Sequence, residues 1–281
     1  MGAQLRRLGV WSALLLVFNV DADVEGDRYP LAKRAMPDLA GAVEGLLAGH
    51  EVMLGDTSSE ANCQAFGQLL WERATEGVPT DDRRLYWARL AALHHLTPSS
   101  NASQDMALHE NCRSSFEAAS RGRAELSWKE GHYRLLVSGF DPFLLDRNIE
   151  QSNPSGLAAL RLDDQVLESS GGTLIHVRAV IFPVRYSDFD QGTLESLLGP
   201  LIEDDRIDAF VSISMGRDAF DLERFPGRRR SASSPDNLNL LSGGSEKAPI
   251  VPELGGGELE GPEFLEFSLP AARMQSRVGR W

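Results

Sequence analysis

Apolar residues recur at helical spacing through the first half of the chain and gather into short β-branched runs in the second. Leu39, Val43 and Leu46-Leu47 fall on one helical stripe that ends near Gly49. Ser58-Ser59 can cap a helix running to Glu76-Gly77, with Cys63, Phe66, Leu70 and Trp71 on or near its apolar face. Asp81-Asp82 start another, RRLYWARLAALHHL, in which Leu85, Leu90 and Leu93 repeat at near-helical intervals. A further helix runs from about Ser103 to Ser120 and carries Leu108, Cys112 and Phe116 on one stripe. Between residues 31 and 125 the signals are all helical, which predicts a small helical bundle.

From residue 126 the period changes. Leu135-Leu136-Val137, closed at once by Ser138-Gly139, reads as a buried strand feeding a tight turn. Asn153 and Pro154 open a helix as cap and first helical residue, expected to reach about Glu168 with Leu157, Leu160 and Val166 inward. Gly171-Gly172 turns into a second strand, Thr173 to Phe182, and a helix from Ser187 to Leu201 leads to a third, Ala209 to Ser214. Strands and helices in that alternation give the doubly wound pattern, with parallel strands and right-handed crossovers. The predicted fold class is α/β: a three-layer α/β/α open sheet over residues 126–281, preceded by the all-α region 31–125. Glu263 to Leu269 alternates like an exposed strand.

The turn after the first strand is the most informative stretch. GFDPF places Phe140 and Phe143 on either side of Asp141-Pro142, and Pro142 stiffens both itself and the residue before it. Loops off the carboxyl ends of strands are where open α/β sheets bind ligands. Aromatic residues in such a place also serve as ordinary core.

Composition narrows the classes. A formal net charge of −13 argues against nucleic acid, which needs a basic face. Residues 1–22 read as a secretory signal peptide: Arg6-Arg7 precede an apolar run from Leu8 to Phe18, and Val20-Asp21-Ala22 offers a cleavage site. The run is short for a membrane span. The expected location is therefore secreted or extracellular, with no membrane contact once the signal is removed. Cys63 and Cys112 are the only cysteines, each on an inward helical stripe. They are candidates for a disulfide in an oxidising compartment, or for two buried thiols that pack as small hydrophobes.

His94-His95 are adjacent and so do not face one ligand, and no metal site is expected. His132 and His176 read as packed or exposed rather than catalytic. Asn101-Ala102-Ser103 matches a glycosylation acceptor. The glycine-rich stretches at 242–244 and 255–257 lack the Lys-Ser/Thr ending of a phosphate loop. No G-x-S-x-G elbow occurs, which removes the serine hydrolases of that class. No cofactor is expected.

A first strand followed by GFDPF (139–143) and NPS (153–155) resembles the opening of pyroglutamyl peptidase I, the pyrrolidone-carboxylate peptidases. Gly216-Arg217 followed by Asp221-Leu222-Glu223-Arg224, and then Pro235-Asp236-Asn237, are similar in order and spacing to later motifs of that family. The resemblance covers about residues 133–270 and implies a cysteine-type omega peptidase that removes N-terminal pyroglutamate from peptides. It implies Glu223 as the acid of a Cys-His-acid triad, in which the carboxylate orients the imidazole. It also implies Phe140 and Phe143 as the walls around the flat pyrrolidone ring.

The departures are as specific as the matches. Leu144-Leu145 stand where the family often has glycines, Met215 stands near its ring-recognising glutamine, and Ser233 replaces an arginine. No Cys or His follows Glu223, so the nucleophile and the imidazole are missing. The expectation is an α/β domain truncated before those residues and inactive as this chain, or a free-standing pseudoenzyme. The alternative function is a non-catalytic binding or interaction protein that keeps the pyrrolidone slot.

Overall fold

A mixed four-stranded sheet organises the second half of the chain, and the helices of the first half cover one of its faces. The computed structural model describes residues 24–48, 59–96, 105–216, 220–254 and 257–276. The segment 1–22, Asn101-Ala102-Ser103 and Arg217 lie outside the described residues. Strand β1 (Tyr133–Phe140) is central, paired in parallel with β3 (Leu174–Phe182) on one side and β4 (Ala209–Ser212) on the other. A short β2 (Val166–Glu168) adds an antiparallel edge to β3, so the strand order is β2-β3-β1-β4.

Alternation along β3 sorts the two faces, because successive side chains of a strand point to opposite sides. Ala179 and Ile181 enter one hydrophobic cluster, Val180 and Phe182 the other. The first cluster is built with α1 (Tyr29–Ala35), α2 (Pro37–Leu47), α3 (Glu60–Thr75), α4 (Arg83–His95), α5 (Asp105–Ala119) and α6 (Pro154–Leu162). The second is closed by Phe189 of α7 (Tyr186–Asp190) and by Leu194, Leu197, Leu198 and Leu201 of α8 (Thr193–Glu203). The α/β class and the helical region before it are both present. Val43, Phe66, Trp87 and Phe116 share one core with Leu160 and Ile181, so the two regions are packed together. Cys63 of α3 and Cys112 of α5 are joined by a disulfide.

Several local expectations change. The helix opened by Asn153 ends at Leu162, because Asp163 leaves the helical conformation and Asp164 takes a positive φ of 58°. Val166 is therefore an exposed edge-strand residue and not an inward helical one. The sheet is mixed for the same reason. The helix expected over Ser187–Leu201 is two, separated by Gly192 at φ 77°. The third parallel strand stops at Ser212. Around 263–269 no regular strand forms: an isolated bridge joins Phe264 to Gly227, flanked by backbone hydrogen bonds from Arg228 to Glu263, Leu265 to Pro226 and Phe267 to Arg224. A two-residue hairpin of β5 (Glu253–Leu254) and β6 (Gly257–Glu258) and the short α9 (Ala271–Gln275) are the regular elements beyond β4.

Candidate functional site

The connection from β1 reaches β3 on one side, and the connection from β3 crosses back to β4 on the other. That reversal puts the crevice of the open sheet outside the carboxyl ends of β1 and β4. Phe140 to Ser155 approach it from β1, and Ile213 to Gly216 follow β4. The side chains of Gln151 and Met215 meet across these loops, Nε2 to Sδ at 3.9 Å.

The first loop is fixed by close approach of α6. A Cβ at Gly139 would lie 2.3 Å from the Ser155 carbonyl oxygen, and one at Gly156 would lie 2.7 Å from that of Phe140. Only glycine leaves room for the backbones to meet there. Asn153 caps α6 by accepting from the Ser155 N–H at 3.1 Å, and its own amide donates to the Asp141 carbonyl at 2.9 Å. From the other end of the chain, the Asn237 amide donates to the Pro142 carbonyl at 2.9 Å and to Glu25 at 3.0 Å. Asp236 accepts from the Tyr186 N–H, and the Asn237 N–H donates to the Val184 carbonyl. GFDPF, NPS and PDN, far apart in sequence, are thus bonded into one knot.

A buried ion network lies beneath that knot. Asp141 is 2% exposed, and its Oδ2 accepts from Arg89 Nη2 and Arg121 Nη1, both at 2.7 Å. Glu117 of α5 pairs with Arg121 at 2.7 Å and with Arg185 at 3.3 Å. Arg185 also meets Glu25 and Asp188. Arg28 donates to the Asn237 carbonyl and grips Asp146 with two nitrogens at 2.8 Å. Burial alone would raise Glu117, but the charges of Arg121, Arg185 and Arg89 hold it well below the usual carboxylate range. Asp82 lacks a cationic partner of that kind. Burial pushes it up to about 7, while its one strong contact is the Asn153 N–H at 2.8 Å.

The residues singled out from sequence fall in different places. Phe140 is half-buried and packs against Phe182 and Phe189, so it walls the α7–α8 side of the crevice. Phe143 is half-buried on the same loop. Glu223 is exposed, and among the described residues no hydrogen bond or ion pair ties it to the knot. Both cysteines are consumed in the disulfide, which leaves no thiol. His176 sits at the amino end of β3, where it accepts from the Lys129 N–H and meets Asp164 at 2.8 Å. Among the described residues no cluster of His, Cys, Asp and Glu could hold a metal ion.

Sequence reading missed Arg89, Arg121, Glu117 and Arg185. A usable signal existed for Arg89, which lies within an otherwise apolar helical run and is fully buried.

Residues 134–274, half of the 281, match the family model described as PA0049, C-terminal domain. The chain belongs to that family. The matched segment begins in β1, so it contains the knot but not Arg89 and Arg121, which hold Asp141 from the helical side. The "Uncharacterized protein PA0049" of Pseudomonas aeruginosa is 32% identical over 199 residues, which cover 60% of this chain. The matched part spans 36% of that relative's length. No solved structure matches the chain.

Proposed function

We propose that the crevice of this chain is a pyroglutamyl-peptidase-like recognition site that takes the N-terminal pyroglutamyl residue of peptides. The observation that carries this reading is the knot: Asn153 and Asn237 donate to the adjacent carbonyls of Asp141 and Pro142 at 2.9 Å. Three motifs of the resemblance, GFDPF, NPS and PDN, are bonded to each other, as parts of one site would be. Phe140 and Phe143 supply apolar walls, and Gln151 brings an amide next to Met215 at the opposite lip. A flat, uncharged lactam needs that combination of apolar walls and a few hydrogen bonds.

In this reading the chain by itself binds and does not cleave. Cysteine peptidase chemistry requires a thiolate, and a cystine sulfur is not one. The disulfide also supports a place in an oxidising compartment, in keeping with secretion. Among the described residues no helix is long and apolar enough to cross a membrane. Calorimetry with a pyroglutamyl peptide and the same peptide starting with proline tests the reading. Saturable heat with the first alone is expected, together with no release of a pyroglutamyl amide. Equal heats, or none from a folded sample, would remove the recognition reading. Turnover that survives replacement of both cysteines would overturn the missing-nucleophile account.

A further inference from the structure

We infer that Arg89 and Arg121 are positioning residues for the crevice: from the helical region they clamp the Asp141 carboxylate and so set the Phe140–Phe143 loop. The inference rests on the proposed reading for what the crevice takes, but the clamp is argued from geometry alone.

Asp141 is the residue between the two aromatic positions that cannot turn to solvent without taking the loop with it. Its carboxylate oxygen accepts from two guanidinium groups at 2.7 Å, and the two arginines are 0% and 1% exposed. Its N–H donates to the Phe182 carbonyl, and its carbonyl accepts from Asn153. The N–H, the carbonyl and one carboxylate oxygen of Asp141 are therefore held, by α4, by the turn after α5, by β3 and by the cap of α6.

Two further observations point the same way. Leu144 sits at φ 60°, which a branched, non-glycine residue seldom adopts. Such a conformation persists when its surroundings over-determine it. Arg89 also keeps Nη1 buried with no hydrogen-bond partner. A buried donor without an acceptor is costly, so this guanidinium is aimed for Asp141 at the expense of its own satisfaction.

Hydrogen exchange on the full chain tests the clamp, comparing wild type with Arg89→Met and Arg121→Lys. The hydrogen-bonded amides of the loop, Asp141, Arg147 and Asn148, should exchange at least about tenfold faster in the variants, beyond any change in α3 and β3, since a charge-assisted hydrogen bond is lost. Loop amides that speed up only in step with α3 and β3 would overturn the inference. If Arg89→Met does not fold, Asp141→Asn keeps the shape and removes the charge. Loop protection in that variant equal to wild type would likewise overturn it. Pyroglutamyl-peptide binding is measured in parallel. A wild type that does not bind removes the recognition reading, while the exchange pattern still decides the clamp.

Discussion

Residues up to β4 and residues beyond it are built on opposite principles. Every buried apolar side chain among the described residues lies at or before Leu201, whereas from residue 220 onward burial is confined to Asp236, Asn237 and Ser242. Phe220, Phe225, Leu241, Phe264 and Leu265 are all more than half exposed in that later stretch. The charges differ in the same way. Asp141, Arg89 and Arg121 are paired out of water, while Arg224–Glu266 and Arg229–Glu263 pair at the surface. Exposed pairs contribute little, because water screens them and both side chains lose freedom. Apolar burial holds the first region together, and polar contacts, at Asp236-Asn237 and between Arg230 and Asp190, fasten the second to it.

The sharpest way to break this contrast is to cut equal side chains from the two regions. Phe116 is fully buried against Phe66 at 5.2 Å between ring centroids. Phe116→Ala should cost about 3–5 kcal/mol, the range for a large side chain removed from a core. Phe264→Ala, at 62% exposure, should stay within about 0.5 kcal/mol. Urea midpoints at constant slope measure both. Similar losses at the two positions would mean that the later stretch has a core of its own.

Next in size is the fastening itself. Asn237→Ala removes the donor to the buried Pro142 carbonyl and one of the donors to Glu25, which keeps Tyr86 and Arg185. The expected loss is roughly 2–3 kcal/mol, since a buried acceptor without a donor pays its desolvation. The variant should also release the stretch 220–276 to protease ahead of β1 and β3. Cleavage in that stretch at the wild-type rate would show that Asn237 is not what fastens it.

These effects also mark how far the sequence could be read. The 3.6 period is printed by residues such as Phe66 and Leu70, because one face of a helix meets the core, while the continuous apolar run of β3 reflects burial on both faces of the sheet. Glycine and proline signals located Gly139, Pro142 and Pro154, where the backbone itself is constrained. Val166 was lost to the helix pattern because a left-handed Asp164 reverses the chain, and aspartate carries no strong mark of that. The ion network was invisible for another reason: Asp141 meets Arg89 and Arg121 only through tertiary packing, and arginine alone reads as surface. Glu223, which the family resemblance selected, is exposed, whereas Asn153 and Asn237 are bonded to Asp141 and Pro142 across a separation that no local pattern announces.

Smallest per step is a pH dependence that separates Asp82 from its paired neighbours. Burial raises its folded pKa from the ordinary 3.8 to about 7, with the charges of Asp81 and Asp141 adding to it. Between those values the folded chain holds a proton that the unfolded chain has lost. Stability from this group is therefore fully present below about pH 4 and falls as pH rises toward 7. Glu117 and Asp146 are both lowered, Asp146 to about 2, so their stabilisation is present above the ordinary carboxylate range and is lost only on acidification. The windows do not overlap. From pH 5 to 7 the Asp82 contribution should decline by no more than about 1.4 kcal/mol per pH unit. Asp82→Asn keeps the acceptor for the Asn153 N–H and cannot ionise, so its denaturation midpoint should decline less over that range. Parallel profiles for the two proteins would mean that ionisation of the buried Asp82 carboxyl does not cost the folded chain stability over this range.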